Sequence, residues 1–160
     1  MKKIFLGALC LLLCLGVSAK APVKIACVGN SITYGYTIEN RERDSYPAQL
    51  QRMLGEGYTV GNFGKSGATL LNKGHRPYMK QEEFQKALAF AGDIVVIHLG
   101  INDTDPRNWP DYRDFFVRDY LALIDSFRVV NPDVRILVAR MTPIADRHPR
   151  FESGTTANVL

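Results

Sequence analysis

Cysteine is scarce in this chain and sits mostly at one end. Of three cysteines in 160 residues, Cys10 and Cys14 fall in the first twenty positions, leaving Cys27 alone beyond them. One remaining thiol forms no internal disulfide in any redox compartment. Its place in an apolar stretch reads as a small buried hydrophobe. A basic stripe is also lacking: the formal charge is +4, with the two signs mixed along the chain, so nothing points to a nucleic-acid partner. The longest apolar run, Ile4 to Val17, has fourteen residues, short of the about 20 that a bilayer span needs. His75, His98 and His148 lie far apart with no ligand spacing, so no metal is expected, and no motif calls for a cofactor. There is no internal repeat and no low-complexity tract.

The early apolar run has a different use. Lys2-Lys3, the run itself and the small pair Ser18-Ala19 follow the charged, apolar, small-residue order of a secretory signal peptide. Residues 1–19 are therefore expected to be removed near Ala19, giving a secreted or periplasmic protein. Leu9 and Leu13 precede the two leader cysteines, where a lipoprotein signal carries a small residue, so lipidation is disfavoured. Loss of Lys2 and Lys3 would lower the formal charge from +4 to +2. Residues 20–160 then form one domain, in keeping with 46% hydrophobic and 22% charged residues over the whole chain.

Four short runs rich in β-branched residues stand out: Val23–Val28, Tyr58–Phe63, Asp93–Leu99 and Val134–Ala139. "DIVVIHL" and "VRILVA" are nearly continuous rather than alternating, the pattern of parallel strands covered on both faces. Helices are expected between them. Ser45–Leu54 has Ser45 as its cap, Pro47 in the first turn, and Leu50, Met53 and Leu54 facing inward. Gln81–Ala91 carries Phe84, Ala87, Leu88 and Ala91 at helical spacing. A single helix Asp111–Val130, opened by Pro110, aligns Tyr112, Phe116, Tyr120, Leu123, Phe127 and Val130 and stops at "NPD". The order β-α-β-α-β-α-β gives an α/β, doubly wound parallel sheet of flavodoxin-like type. The last twenty residues, "TPIADRHPRFESGTTANVL" among them, show little periodicity and no convincing final helix. An uncovered sheet face would stand in water, so the domain is expected to be incomplete at its C-terminal end.

In such sheets, sites form at the carboxyl ends of the strands. Three polar, glycine-containing turns fall there: "GNSIT", "NFGKSGAT" and "LGIND". Each has a bland explanation. Ser31 suits a helix cap, Gly64 a turn needing positive φ, Asn102 and Asp103 an Asx-turn. Their convergence on one sheet edge favours a joint role.

The three turns resemble the first three sequence blocks of the SGNH (GDSL-like) hydrolase superfamily, over about Val23 to Thr142. The GxND block preceded by "DIVVIHL" is the most specific, and Asn30 stands where aspartate is more common. "ACVGNSITYG" and "ARMTPI" are also similar to secreted bacterial sialate or carbohydrate O-acetylesterases. The resemblance implies Ser31 as nucleophile. It places the Ser31 and Gly64 N–H groups and the Asn102 amide in an oxyanion hole, where one donor is worth about 3 kcal/mol of barrier. Small acyl esters, notably acetyl groups on carbohydrates, are the implied substrates. Tyr34, Tyr36 and Trp109 are candidates to line a sugar pocket, and "DTDPRNWPDY" is the candidate specificity loop.

The base is what the chain lacks. A serine hydroxyl needs a histidine to take its proton, itself oriented by a carboxylate. The resemblance locates both in a C-terminal DxxH block, and no DxxH occurs here. Asp146 and His148 have one residue between them instead of two. His98 lies within a strand pattern, and His75 in the "NKGHRPY" loop is read as exposed. On this reading the chain alone is expected to be nearly inactive. The rival readings are a non-catalytic module binding carbohydrate or another anion, and a nonfunctional truncated product. A phosphate loop at "GKS" is excluded, because the glycine it requires five positions earlier is Thr59.

Overall fold

A computed structural model describes residues 21–142. The expected leader, the Asp146–His148 pair and the C-terminal tail lie outside the described residues. In chain order the elements are β1 (Val23–Gly29), α1 (Ser31–Tyr34), α2 (Arg41–Asp44), α3 (Tyr46–Leu54), β2 (Tyr58–Gly64), α4 (Glu82–Phe90), β3 (Ile94–His98), α5 (Trp109–Tyr112), α6 (Phe116–Val130) and β4 (Arg135–Val138). The four strands form one parallel sheet in the order β2-β1-β3-β4. This is the doubly wound order that the apolar runs predict, and each strand falls within one residue of its expected bounds.

The strand β1 is buried because both of its faces are covered, whereas β3 alternates, with Val95 and Ile97 buried and Ile94, Val96 and His98 half-buried. Residues 25–29 of β1 are all buried, and the side chains divide by the strand's period of two. Ala26 and Val28 join Val95 and Ile97 of β3 in a cluster with Phe84 and Ala87 of α4 and Leu123 and Phe127 of α6. Tyr78, Phe84 and Phe127 meet edge to face, with ring centroids 6.1 Å apart in both pairs. On the other side α3 packs against β2, and the Tyr46 hydroxyl lies 3.1 Å from Thr33 Oγ1 of α1. Cys27 is fully buried there, and burial pushes its thiol up to about 11, so it is an inert core group as its apolar setting predicts.

Three helix details differ from the pattern read in the sequence. Met53 does not face inward but is 82% exposed. Six residues after Pro47, the buried residue of α3, it lies about 120° around the helix from it, while Leu50 and Leu54 lie closer to Pro47 and are half-buried. The expected helix Asp111–Val130 is broken. Tyr112, at φ −122 and ψ 1, leaves α geometry, a 3₁₀ turn covers Arg113–Phe115, and α6 starts at Phe116. Val130, near its end, is exposed. Ser45 precedes α3 as expected but makes no side-chain capping bond. At the sheet edge, Leu137 and Val138 of β4 are 44% and 53% exposed.

Register fixes where the site is. Gly29, the last residue of β1, pairs with Gly64 of β2 on one side and His98 of β3 on the other. The turns that follow these three residues therefore leave the sheet at one level.

Candidate active site

The turn after β1 is set by close approach. A side chain on Gly29 would overlap Thr33 and press on the His98 carbonyl. Asn30, wholly buried, caps α1: its Oδ1 accepts the Ile32 N–H at 3.0 Å and its carbonyl the Tyr34 N–H at 2.9 Å. The cap is thus Asn30 and not Ser31. Ser31 is the first residue of the helix, and its side chain lines a cavity of about 390 Å³ together with Tyr36, Ser66, Gly67, His75 and Asn102.

The turn after β2 corrects one assignment. Gly64 does not line this cavity, and its N–H donates to Asn62 Oδ1 at 3.0 Å. A side chain there would overlap the backbone of Thr33 and Tyr34, so Gly64 is the glycine that lets α1 lie against the end of β2. Gly67, three residues on, takes the place in the cavity. Its φ of +77 is a left-handed conformation that favours glycine. The resemblance implied Gly64; the Asn62 side chain two residues earlier, able to close an Asx-type contact on that N–H, was the available signal against it.

The turn after β3 divides its two polar residues between opposite tasks. Asn102 lines the cavity, and one hydrogen of its amide is held by the Ala68 carbonyl at 2.9 Å, which orients the group. Asp103 is fully buried and faces the segment after β2. Its Oδ2 accepts the Leu70 N–H at 2.9 Å and its Oδ1 the Leu71 N–H at 2.7 Å. Burial pushes this carboxyl up to about 7, against the lowering effect of those N–H donors. Asp119 of α6 holds the next residue in the same way, accepting the Asn72 N–H at 2.8 Å while pairing with Arg118 at 2.9 Å.

His75 is exposed, as its loop suggests, yet it reaches the cavity. Its backbone N–H donates to Asn108 Oδ1 at 2.9 Å, and its Nδ1 lies 3.0 Å from Asn108 Nδ2. Asn108 is fully buried, and Nδ2 also donates to the Asn102 carbonyl at 2.9 Å. Asp105 and Arg107, also on the cavity wall, form a two-pronged pair with distances of 2.9 and 2.7 Å. The Arg107 hydrogen bonds pull the Asp105 carboxyl down to about 2. Sequence reasoning missed Asn108, Asp103 and Asp119 as organising residues, because their partners are 32 to 47 residues away.

Other candidates are separated from the cavity. His98 ends β3 half-buried, and desolvation lowers its pKa. Tyr34 stacks under Arg41, 3.9 Å from ring centroid to guanidinium carbon, and lines a different cavity with Arg41, Asn62 and Gly64. Trp109 packs edge to face on Phe116 at 5.6 Å. Of the three aromatic candidates only Tyr36 lines the Ser31 cavity.

Comparison with known proteins adds to this geometry. The sequence model of the GDSL-like lipase/acylhydrolase family matches residues 27–159. An acetylxylan esterase of Xylanibacter ruminicola is 50% identical over 106 residues, which are 66% of this chain and 22% of that protein. The chain therefore spans about a fifth of the length of this curated relative. Among solved structures, the SGNH-hydrolase family esterase AlinE4 superposes with a TM-score of 0.54 at 20% identity, covering 79% of this chain and 64% of its own. Another superposes at 0.64 with 21% identity, covering 86% and 73%. At such identities these two likenesses show the fold.

Proposed function

The chain belongs to the GDSL-like lipase/acylhydrolase family, and from that premise we propose that it carries the nucleophile and oxyanion hole of a serine esterase for small acyl groups. The observation that carries the reading is the meeting of Ser31, Gly67 and Asn102 in one cavity at the carboxyl edge of the sheet. Ser31 Oγ attacks the acyl carbon. The carbonyl oxygen, now negative, is met by the free amide hydrogen of Asn102 and by the Gly67 and Ser31 N–H groups. An amide suits this work because it donates without titrating, and its fixed orientation removes the need to reorganise as charge develops. Attack requires an imidazole to take the serine proton. His98 does not line the cavity. The His75 Nδ1 accepts from Asn108, which leaves Nε2 protonated in the neutral ring and unable to take the serine proton. The base of this reading is therefore to be sought outside the described residues.

Acetyl esters on carbohydrate are the substrates this reading favours, supported by the acetylxylan esterase relative and by Tyr36 on the cavity wall. Export past the inner membrane, after removal of residues 1–19, belongs to the same reading. The test is labelling by a serine-directed fluorophosphonate, alone and with the Asp-His segment of a longer relative supplied. Labelling that disappears in Ser31→Ala is the expected result. No labelling of the intact chain where a full-length relative is labelled would overturn the claim that Ser31 is activated. Sugar binding retained in Ser31→Ala, without turnover in either protein, would favour the binding-module reading.

A further inference from the structure

The contacts around Asn108 settle which hydrogen the His75 ring carries. A backbone N–H can only donate and a carbonyl can only accept. The His75 N–H at 2.9 Å therefore fixes Oδ1, and the Asn102 carbonyl at 2.9 Å fixes Nδ2. With the amide so oriented, its second hydrogen meets His75 Nδ1 at 3.0 Å, closer than the 3.3 Å from Nδ1 to Oδ1. Were Nδ1 protonated, that amide hydrogen would lie unpartnered in a fully buried residue. Nδ1 is thus the acceptor, and in the neutral ring the proton resides on Nε2. The backbone that carries the ring is also held by its own segment. Thr69 N–H donates to the Arg76 carbonyl and Tyr78 N–H to the Thr69 carbonyl, both at 2.8 Å, and Gly74 leaves no room for a side chain beside Thr69.

We infer that His75 is a specificity-determining residue that offers its Nε2–H in the Ser31 cavity to an acceptor oxygen beside the scissile ester. This rests on the reading of Ser31 as an ester-directed nucleophile and names the leaving group it prefers. With the acyl oxygen taken by Asn102 and Gly67, a further fixed donor on the same wall favours an alcohol carrying a neighbouring hydroxyl or ring oxygen. That is the chemistry of a polyol or sugar ester, in contrast to an aryl ester whose leaving group has no such oxygen. Nε2 bearing the proton also removes His75 as the group that deprotonates Ser31. Asn108 acts through His75 and is a positioning residue.

The first measurement is the two-bond ¹H–¹⁵N spectrum of the histidines in the full chain. The Nε2–H pattern is expected for His75, turning to Nδ1–H in Asn108→Asp, where a carboxylate replaces the amide donor. An Nδ1–H pattern in the unaltered chain overturns the inference. The second is the ratio of kcat/KM for an acetylated xyloside to that for p-nitrophenyl acetate. It should fall about tenfold in His75→Ala, the scale of one neutral hydrogen bond, and be largely restored in His75→Gln, which keeps a donor. An unchanged ratio overturns the inference. A loss of equal size on both esters does so too, because it assigns His75 to the chemistry of Ser31. Both esters are assayed with the Asp-His segment of a longer relative supplied; if the unaltered chain then hydrolyses neither, the esterase reading fails separately. Xylobiose then decides the inference: a shift of the His75 Nε2–H resonance on its addition supports the contact, and no shift overturns it.

Discussion

The turn from β1 into α1 and the segment from Lys65 to Tyr78 both shape the Ser31 cavity, and they are held by opposite means. The first is fixed by what is absent. Gly29 and Gly64 have no side chains, so α1 starts against the ends of two strands, and Asn30 closes the helix locally. The second is fixed by groups brought from afar. Asp103, Asn108 and Asp119 each hold backbone N–H groups of Leu70, Leu71, Asn72 and His75 across 32 to 47 residues. The nucleophile is thus placed by steric exclusion, and the wall facing it by buried polar contacts. Steric placement tolerates no added atom; polar placement tolerates shape change but no loss of an acceptor.

The steric half breaks most completely at Gly64. In Gly64→Ala the new methyl group overlaps backbone atoms of Thr33 and Tyr34, which cannot move aside as a flexible side chain would. A loss on the order of 4 kcal/mol, or failure to fold, is expected from forced overpacking against main chain. Urea unfolding of the variant measures it; a cost below about 1 kcal/mol would show that α1 shifts freely, and the contrast with the polar half would vanish. The polar half breaks next, at Asp103. Asp103→Ala leaves the Leu70 and Leu71 N–H groups buried without acceptors, at roughly 1–3 kcal/mol each. Faster hydrogen exchange is expected at Leu70 and Leu71 before any change at Ile32 of α1. Uniform acceleration across both regions would mean that the two halves are not held independently.

The two halves were also unequally legible. The strands and their level at the sheet edge followed from near-continuous apolar runs, and the three turns from their place after those runs. Steric requirements are written locally, in glycines beside strand ends. The role of each glycine was not, because "NFGKSG" holds two of them and only the Asn62 contact shows that the Gly64 N–H is already used. Asp103 was visible as half of an "ND" pair, yet its partners Leu70 and Leu71 carry no mark in the sequence, since backbone N–H groups look alike at every residue. His75 was read as exposed, which it is; that exposure also brings it to the cavity followed only from Asn108. Periodicity located α3 and placed Leu50 and Leu54 on its inward side, but it also included Met53, which lies off that side because the burial centres on Pro47.

A milder probe of the polar half is pH. Burial raises the Asp103 carboxyl to about 7 in the folded chain, well above its value in the unfolded chain. The folded state therefore holds more protons between about pH 4 and pH 7, so this group's contribution is full below about 4 and is lost as pH rises through 7. Asp105 has the opposite sign: its carboxyl is lowered to about 2, so its contribution stands above about 4 and is lost as pH falls through 2. Urea midpoints are expected to decline between pH 4 and pH 7, and Asp103→Asn is expected to flatten that decline whatever its own offset. A decline that persists in Asp103→Asn would assign it to another group and leave Asp103 ionised against its two N–H donors.

The smallest effect is expected where neither means of holding operates. Met53, 82% exposed, lies off the buried stripe of α3, so Met53→Gln removes little buried surface and replaces one good helix former by another. A change within about 0.5 kcal/mol is expected from urea unfolding, as for most surface positions. The result bears on the comparison because α3 packs on β2, the strand whose end Gly64 forms. Should Met53→Gln cost more than about 1 kcal/mol, that face of α3 would be covered by something beyond the described residues. The steric half of the site would then be held from outside as well as from within, and its placement would no longer be a purely local matter.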